Sequence, residues 1–262
     1  MFRCILLVCC VLYAQIGLTK SNKQWQTQQN NADYLFEQRD YAAALKLYTE
    51  LAEGARASYA QFKVGWIYDV GLGVPKSCTK ALRWYTHSAN AGYSTAQYNL
   101  YIIYLNGCDG VLVSSNQAMY YLERAVKNEL PRAMASYSKH LARGDLLNKN
   151  YYEAYDLAQK SAEKSDILGI TLLAEYYAQG MGVPVDKKKS FELIKQASNM
   201  GVDPSSNVLK TEAQLTLAEY FISGLGTPIK LASAYKWLLI VSSSSSENMI
   251  KSAQDYINDI KS

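Results

Sequence analysis

Ser77 to Lys80 and Ser161 to Lys164 are among the Ser-x-x-Lys segments of this chain, which have the residue types and spacing of a catalytic motif. In β-lactamases and penicillin-binding proteins the serine of this motif is the nucleophile, and Ser-Asp-Asn and Lys-Thr-Gly motifs accompany it. Neither companion is present in this chain, whose nearest match is Lys-Thr-Glu at residues 210–212. A sequence rich in serine and lysine contains such segments by chance. We therefore expect no catalytic residue and predict that the protein is not an enzyme.

The two histidines, His87 and His140, do not indicate a metal or cofactor site. They lie far apart in the sequence, and neither belongs to a His-Glu-x-x-His motif. No glycine-rich loop follows a predicted strand, so a phosphate cradle is not expected. The 27 basic residues are scattered among 23 acidic ones, for a net charge of +4. This distribution provides no basic face of the kind that binds nucleic acid.

The N-terminus has the composition of an export signal. A basic residue, Arg3, precedes an apolar stretch from Cys4 to Leu12 that is too short to span a bilayer. We predict a signal peptide over residues 1–14, cleaved after Ala14, and a periplasmic or secreted location. A bacterial source is favoured over the eukaryotic secretory pathway. No integral membrane segment is expected after removal of the signal.

The strongest pattern in the chain is an internal repeat. Five times a small residue is followed eleven positions later by a glycine, and successive glycines are 36, 37, 36 and 44 residues apart. The five pairs are Ala60 with Gly71, Ala96 with Gly107, Ala133 with Gly144, Gly169 with Gly180, and Ala213 with Gly224. A second block follows each pair and reads Ala81-x-x-Trp84-Tyr85-x-x-Ser88-Ala89 in the first copy. Spacings of three and four place these residues on one helical stripe, so each copy is predicted to be a helix A, a turn and an antiparallel helix B.

These residues resemble those of the Sel-one-like repeat (SLR) family, which is related to the tetratricopeptide repeat. The likeness is carried by the segments Ala60 to Val74 and Lys80 to Gly92, and it extends over residues 58 to about 245. It implies an all-α fold, a right-handed α/α superhelix (solenoid) of about 12–13 helices in antiparallel pairs. Repeat two lacks the second glycine of the turn at its regular place, and repeat three has lost it.

The predicted organisation has special elements at both ends. A solvated linker spans residues 15–29, a degenerate tetratricopeptide-like cap spans 30–57, and a capping helix spans 247–262, because terminal repeats meet water on one face. The five repeats span 58–93, 94–130, 131–166, 167–210 and 211–246. The segment 201–207 and the serine run from Ser242 to Ser246 are either docking loops or tolerated surface insertions.

Cys78 and Cys108 are the two cysteines that follow the predicted signal, and they lie near the turns of adjacent repeats. Exported proteins meet oxidising conditions, under which such cysteines can pair. The sequence leaves a disulfide and two separate thiols as alternatives, because it does not give the separation of the Cα atoms.

In tetratricopeptide-type stacks the A helices line the concave surface, so the resemblance implies a partner-binding groove there. The A-helix residues outside the packing stripe are Tyr59, Phe62, Trp66, Asp69, Thr95, Tyr98, Ile102, Leu105, Arg132, Lys139, Arg143, Thr171, Glu175, Gln179, Glu212, Glu219 and Ser223. Trp66 is the expected anchor, because aromatic residues are enriched at interfaces. The groove changes from aromatic to basic to acidic, which suits an extended peptide or a partner's helix.

The leading hypothesis is a non-enzymatic, exported and monomeric scaffold that holds protein partners in an envelope, signalling or host-contact role. One alternative is a cell-wall-associated regulator that binds peptidoglycan or a wall enzyme. The other is a β-lactam-interacting hydrolase that uses one of the Ser-x-x-Lys segments.

Overall fold

The computed structural model describes residues 23–54, 57–201, 206–243 and 247–261, which form helices joined by turns. These residues form thirteen α-helices: α1 (23–37), α2 (Tyr41–Gly54), α3 (Ser58–Val70), α4 (Cys78–Asn90), α5 (Ser94–Asn106), α6 (Ser115–Lys127), α7 (Pro131–Arg143), α8 (Tyr151–Glu163), α9 (Ile167–Gln179), α10 (Lys187–Asn199), α11 (Asn207–Ser223), α12 (Leu231–Ser242) and α13 (Glu247–Lys261). The described residues hold no β-strand, only one isolated bridge between Cys108 and Val111. The predicted all-α class and number of helices are confirmed.

The chain divides into an N-terminal unit, which ends at Asn128 and contains α1–α6, and a C-terminal unit, which begins at Glu129 and contains α7–α13. Within each unit, consecutive helices pack against each other as A and B pairs. The A helices are α3, α5, α7, α9 and α11, and the B helices are α4, α6, α8, α10 and α12. Among the described residues no helix is both long and apolar enough to cross a membrane. The predicted signal peptide lies outside them.

The linker prediction is wrong in its second half. Residues 23–29 are helical and begin α1, whereas residues 15–22 lie outside the described part of the chain. The cap therefore starts earlier than residue 30. α1 is held by a few apolar side chains, among them Trp25 and Phe36, which pack on the core of α2 and α3. Most residues between them are polar, which hid this helix in the sequence, and one of these, Asp33, accepts hydrogen bonds from Tyr48 and Tyr59.

Side chains and glycines set the ends of the helices. Four B helices are preceded by a capping residue whose side chain accepts a hydrogen bond from the backbone N–H three positions later. These capping residues are Ser77, Ser114, Asn150 and Asp186. Such caps satisfy N–H groups that have no partner within the helix. Each A helix ends at a glycine, of which Gly71, Gly144, Gly180 and Gly224 adopt left-handed backbone angles.

A second glycine in most turns allows a close approach to the preceding B or cap helix. A Cβ atom at Gly73, Gly110, Gly182 or Gly226 would collide with Tyr41, Thr79, Tyr151 or Lys187, respectively. Each of those residues lies at the start of α2, α4, α8 or α10. Repeat two therefore keeps the contact by using Gly110, one position later than the regular place. Repeat three has Leu146 at that place.

The B helices approach their neighbours through small residues. Ala81, Ala118, Ala154 and Ala234 are fully buried, as is Ser190 at the same position of repeat four. Ser190 donates a hydrogen bond to the carbonyl of Ala174 (2.7 Å), and its hydroxyl lies 2.9 Å from that of Tyr220.

In repeat three the same hydroxyl comes from the other helix. Ser138 on α7 donates to the carbonyl of Ala154 on α8 (2.6 Å), and its hydroxyl lies 2.8 Å from that of Tyr176. The two repeats thus place a serine hydroxyl beside a buried tyrosine from opposite sides of the helix pair.

The C-terminal helix α13 packs on α11 and α12. Ala253 and Ile257 bury their side chains against Leu238 and Val241. Two segments singled out in the sequence lie partly outside the described residues. These are the loop 201–207, of which 202–205 are not described, and the serine run 242–246, of which 244–246 are not described.

Candidate partner-binding cleft

The A helices of the C-terminal unit line a cleft of about 610 Å³. α7 contributes Lys139 and Arg143, α9 contributes Glu175 and Gln179, and α11 contributes Glu212. On α7 and α9 the two residues are four positions apart, so they lie on the same side of their helix. All five residues were assigned to the groove from the sequence, and they surround one cavity.

The floor of the cleft is apolar and was not foreseen. Leu172, Ile194 and Tyr220 line it, although at least nine tenths of each is buried. None of the three was among the residues assigned to the groove from the sequence. They serve two purposes, because each supports the core with most of its surface and leaves an edge open to the cleft.

The charged walls of the cleft are not neutralised from within. Among the described residues, the side chains of Lys139, Arg143 and Glu212 take part in none of the ion pairs. Glu175 accepts a hydrogen bond from Gln179 at 3.3 Å. Cations thus lie on α7 and carboxylates on α9 and α11, where a ligand can pair with them.

Arg132 and Glu219, two further residues assigned to the groove, are used within the fold. The guanidinium of Arg132 forms an ion pair with Asp166 at 2.7 Å and donates to the hydroxyl of Ser206 at 3.3 Å. Glu219 accepts a hydrogen bond from Tyr256 of α13 at 3.1 Å. Neither residue lines the cleft, because a partner elsewhere in the C-terminal unit holds each side chain.

The aromatic residues assigned to the groove in the N-terminal unit belong to a packed cluster. Tyr59 donates a hydrogen bond to Asp33 of α1 at 2.8 Å. The ring of Trp66, the expected anchor, is half-buried, with its centroid 5.1 Å from that of Phe36 and 6.4 Å from that of Phe62. The α1 helix, which was not predicted at its full length, therefore covers part of this surface.

The remaining assigned residues of the N-terminal unit vary in exposure. Asp69 accepts a hydrogen bond from Tyr85 at 3.3 Å. The rings of Tyr98 and Tyr101 lie 5.4 Å apart. Thr95 is half-buried, and Ile102 is 36% exposed. These side chains line none of the described cavities, so no ligand site is assigned to them.

The aromatic cluster encloses the amino group of Lys63, a residue that sequence reasoning passed over. The Nζ atom lies 3.7 Å from the centre of the Phe36 ring and 4.8 Å from that of Trp66. Burial lowers the pKa of Lys63, while the negative charges of Asp33 and Glu37 oppose that shift. The cation–π contacts hold α1 to α3.

The serines and histidines considered for catalysis have structural contacts. The Ser77 hydroxyl caps α4 and accepts from a backbone N–H, and the Ser161 hydroxyl donates to the carbonyl of Pro131 at 2.8 Å. His87 is exposed, whereas His140 is buried with its Nδ1 atom 2.7 Å from Asp145. Burial raises the pKa of Asp145, but the hydrogen bond and charge of His140, together with backbone hydrogen bonds such as that from Leu146, lower the pKa overall. No group of three potential metal ligands occurs in the described part of the chain.

The two cysteines of the N-terminal unit meet. Cys78, the first residue of α4, and Cys108, in the turn after α5, are joined as a disulfide with their Cα atoms 6.2 Å apart. The bond joins repeat one to repeat two. The geometry therefore favours the paired alternative over two separate thiols.

Several solved structures are similar to this chain, and three of them show the range of likeness. A protective antigen of uropathogenic Escherichia coli strains, which displays an SLR fold, is 26% identical with a TM-score of 0.76 over 90% of this chain and 49% of that one. A Sel1 repeat protein of Oxalobacter formigenes is 24% identical with a TM-score of 0.71 over 86% of each chain. A sel1 repeat protein of Klebsiella pneumoniae is 19% identical with a TM-score of 0.52 over 82% of this chain and 98% of that one. These likenesses support the helical-repeat fold.

Among characterised sequences, a sel1-like repeat-containing protein of Acanthamoeba polyphaga mimivirus is 40% identical over 68 residues. This match covers 24% of the present chain and 13% of the viral protein, so the chain spans a small part of that relative and about half of the Escherichia coli antigen.

The Sel1 repeat family model matches this chain six times, at residues 35–55, 58–93, 94–129, 131–166, 168–202 and 211–240. The first match lies in the segment interpreted as a degenerate cap, and the other five fall in the five repeats. The matches together cover more than half of the sequence. The resemblance seen in the sequence is confirmed, and the chain belongs to the Sel1 repeat family.

Proposed function

We propose that this protein is an exported, non-enzymatic scaffold that binds an extended segment of a protein partner in the cleft between α7, α9 and α11. The observation that carries the proposal is a set of charges around an apolar floor, Lys139 and Arg143 on α7 and Glu212 on α11, that form no ion pair within the described ranges. Sel1 repeats generally mediate protein interaction, which agrees with such a role.

The positions of the charges define the chemistry of the partner. Packed helices lie about 8–10 Å apart, and an extended chain advances about 3.3–3.6 Å per residue. About three residues therefore cross from one A helix to the next, and about six cross from α7 to α11. We propose a segment with an acidic residue over α7, apolar residues over the floor, and a basic residue about six positions away over α11.

A displayed library of random peptides, selected on the full chain, tests this proposal. The selected peptides should carry the acidic and basic residues at that spacing, and Arg143→Glu or Glu212→Lys should weaken their binding about tenfold. Lys188→Glu changes an exposed charge outside the cleft and serves as the matched control. Peptides with the acidic residue replaced by lysine should regain binding to Arg143→Glu. Equal binding by the wild type and both cleft variants would refute the assignment.

We further propose that the protein is exported, with cleavage after Ala14 and a disulfide between Cys78 and Cys108. The approach of the two cysteines supports this proposal, because such bonds persist in oxidising compartments. Fractionation of the native host, followed by thiol alkylation and mass measurement, tests it. The exported fraction should contain a shortened chain in which neither thiol reacts. A full-length chain in the cytoplasmic fraction, with all five of its cysteines reactive, would exclude export.

A further inference from the structure

A second cavity, of about 480 Å³, lies beside the end of α2 in the N-terminal unit. Glu53, Gln61, Trp84 and His87 are among the residues that line it. Gln61 is 7% exposed, and its Nε2 atom donates to the carbonyl of Ala52 at 3.3 Å. Its Oε1 atom is buried and has no hydrogen-bond partner among the described residues. An unsatisfied buried acceptor is unfavourable, so a molecule that brings an N–H donor to it would be stabilised.

The next repeat contains the same arrangement with the space filled. Gln97 donates to the carbonyl of Ala89 at 3.1 Å, just as Gln61 donates to that of Ala52. There the Oε1 atom of Gln97 accepts a hydrogen bond from the amide of Asn128 at 2.9 Å. The guanidinium of Arg124 donates to the same Ala89 carbonyl at 2.9 Å. Arg124 of α6 and Asn128, the residue that follows α6, thus supply the donors at this place.

Repeat one lacks both of those side chains. In the repeat register, His87 occupies the place of Arg124, and Ala91 occupies the place of Asn128. The loss of the longer side chains opens the cavity and leaves the Gln61 oxygen without a donor from the part of the chain that the structure describes. In addition, Glu53 stands where the next repeat has a neutral asparagine, so the acceptors at the cavity include a carboxylate. The missing group is a planar cation with several N–H donors.

We infer that this cavity binds the guanidinium group of an arginine that another molecule supplies. Its N–H groups would donate to Gln61 Oε1 and to the carboxylate of Glu53, a charge-assisted pairing that suits guanidinium geometry. The ring of Trp84 offers a face for stacking of the same group. This site lies in the N-terminal unit and does not depend on the cleft between α7, α9 and α11.

Arg83 also lines the cavity and opposes a cationic ligand. Its side chain is exposed and long, so the guanidinium can turn to solvent when the site is filled. Arg83 therefore distinguishes two kinds of ligand. Its removal strengthens the binding of a cation and weakens the binding of an anion.

Titration of the full chain with N-acetyl-arginine methylamide, followed by NMR or calorimetry, tests the inference. The double variant His87→Arg/Ala91→Asn copies the next repeat and should fill the cavity with the chain's own donors. We expect saturable binding by the wild type, binding at least about tenfold weaker by the double variant, and a similar loss in Glu53→Gln. Ala91→Asn alone is the second variant, should the double variant not fold. N-acetyl-lysine methylamide should bind about tenfold more weakly, because an ammonium cannot make the bidentate contact.

Three results would overturn the inference: no saturable binding to the wild type, equal binding to the double variant, or loss of binding in Arg83→Ala. Free arginine and the peptide Gly-Arg-Gly distinguish the source of the group. Tighter binding of the peptide supports a polypeptide partner, and tighter binding of the free amino acid supports a metabolite.

Discussion

Substitution of Gly182 by alanine should destabilise the C-terminal unit by more than the cost of the positive φ alone. Gly182 has φ of +70°, and a Cβ atom there would overlap the carbonyl oxygen of Tyr151 and lie 3.1 Å from the Cα atom of Tyr152. The left-handed backbone costs a non-glycine residue about 1–2 kcal/mol. The overlap adds about 1–3 kcal/mol, because a backbone atom at the start of α8 cannot rotate away as a side chain can. The expected loss is therefore about 2–5 kcal/mol.

Two glycines of the same unit provide matched controls. Gly180 has φ of +75°, but its nearest contact would be a side-chain methyl of Val185 at 3.0 Å, so alanine there should cost only the backbone term. Gly201 has no positive φ, and a Cβ there meets nothing within 4 Å among the described atoms, so alanine should change stability by less than about 0.5 kcal/mol.

Urea unfolding followed by circular dichroism measures the three losses, and hydrogen exchange of α8 and α9 locates them. The expected order of destabilisation is Gly182→Ala, then Gly180→Ala, then Gly201→Ala. A Gly182→Ala variant that is no less stable than Gly180→Ala would refute the close approach as the reason for the second glycine.

Two further predictions concern the buried polar contacts and the cysteines. Cys78→Ser should lower the free energy of unfolding by about 3–4 kcal/mol, because the disulfide closes a loop between cysteines 30 positions apart. Denaturation with and without reductant measures the difference. A wild-type chain that loses no stability in reductant would contradict this prediction. Burial raises the pKa of Tyr176 to about 12, whereas the same phenol in the unfolded chain ionises near pH 10. The buried phenol therefore contributes fully to the free energy of unfolding below pH 10, and this contribution is lost as the pH rises from 10 to about 12. Tyr176→Phe should reduce this loss, and denaturation at pH 9 and pH 11 measures it; an unchanged pH dependence in the variant would show that other groups cause the loss.

The repeat register made the helices and the small packing residues predictable from the sequence. Periodic residues such as Ala81 and the turn glycines follow directly from the geometry of a helix pair. The contacts that were missed depend on side chains far apart in the sequence. Arg132 was assigned to the groove because its ion-pair partner was not recognised. That partner, Asp166, lies 34 residues later, at the end of the repeat. The first part of helix α1, residues 23–29, was assigned to a linker because polar residues dominate its composition.

The candidate site was predictable only in part, for a related reason. Charged residues at helical spacing, such as Lys139 and Arg143, have no place in a core, so the sequence directed attention to them. An apolar residue such as Leu172 looks the same whether it is wholly enclosed or borders a cavity. The cavity beside Gln61 arises because His87 and Ala91 replace the longer Arg124 and Asn128 of the next repeat. A search for residues that the repeats share does not reveal a place where one repeat has a shorter side chain.

The serine hydroxyl that reaches a buried tyrosine from either helix of a pair makes substitution routes unequal. Between the arrangement of Ser138 with Ala154 and that of Ala174 with Ser190 lie two intermediates, one with two serines and one with none. The first keeps a hydroxyl beside the phenol, whereas the second leaves the Tyr176 phenol only the longer hydrogen bond to the backbone carbonyl of residue 138, at 3.3 Å. A lineage that gains the new serine before it loses the old one therefore keeps the better hydrogen bond throughout, and one that loses the old serine first passes through a less stable protein.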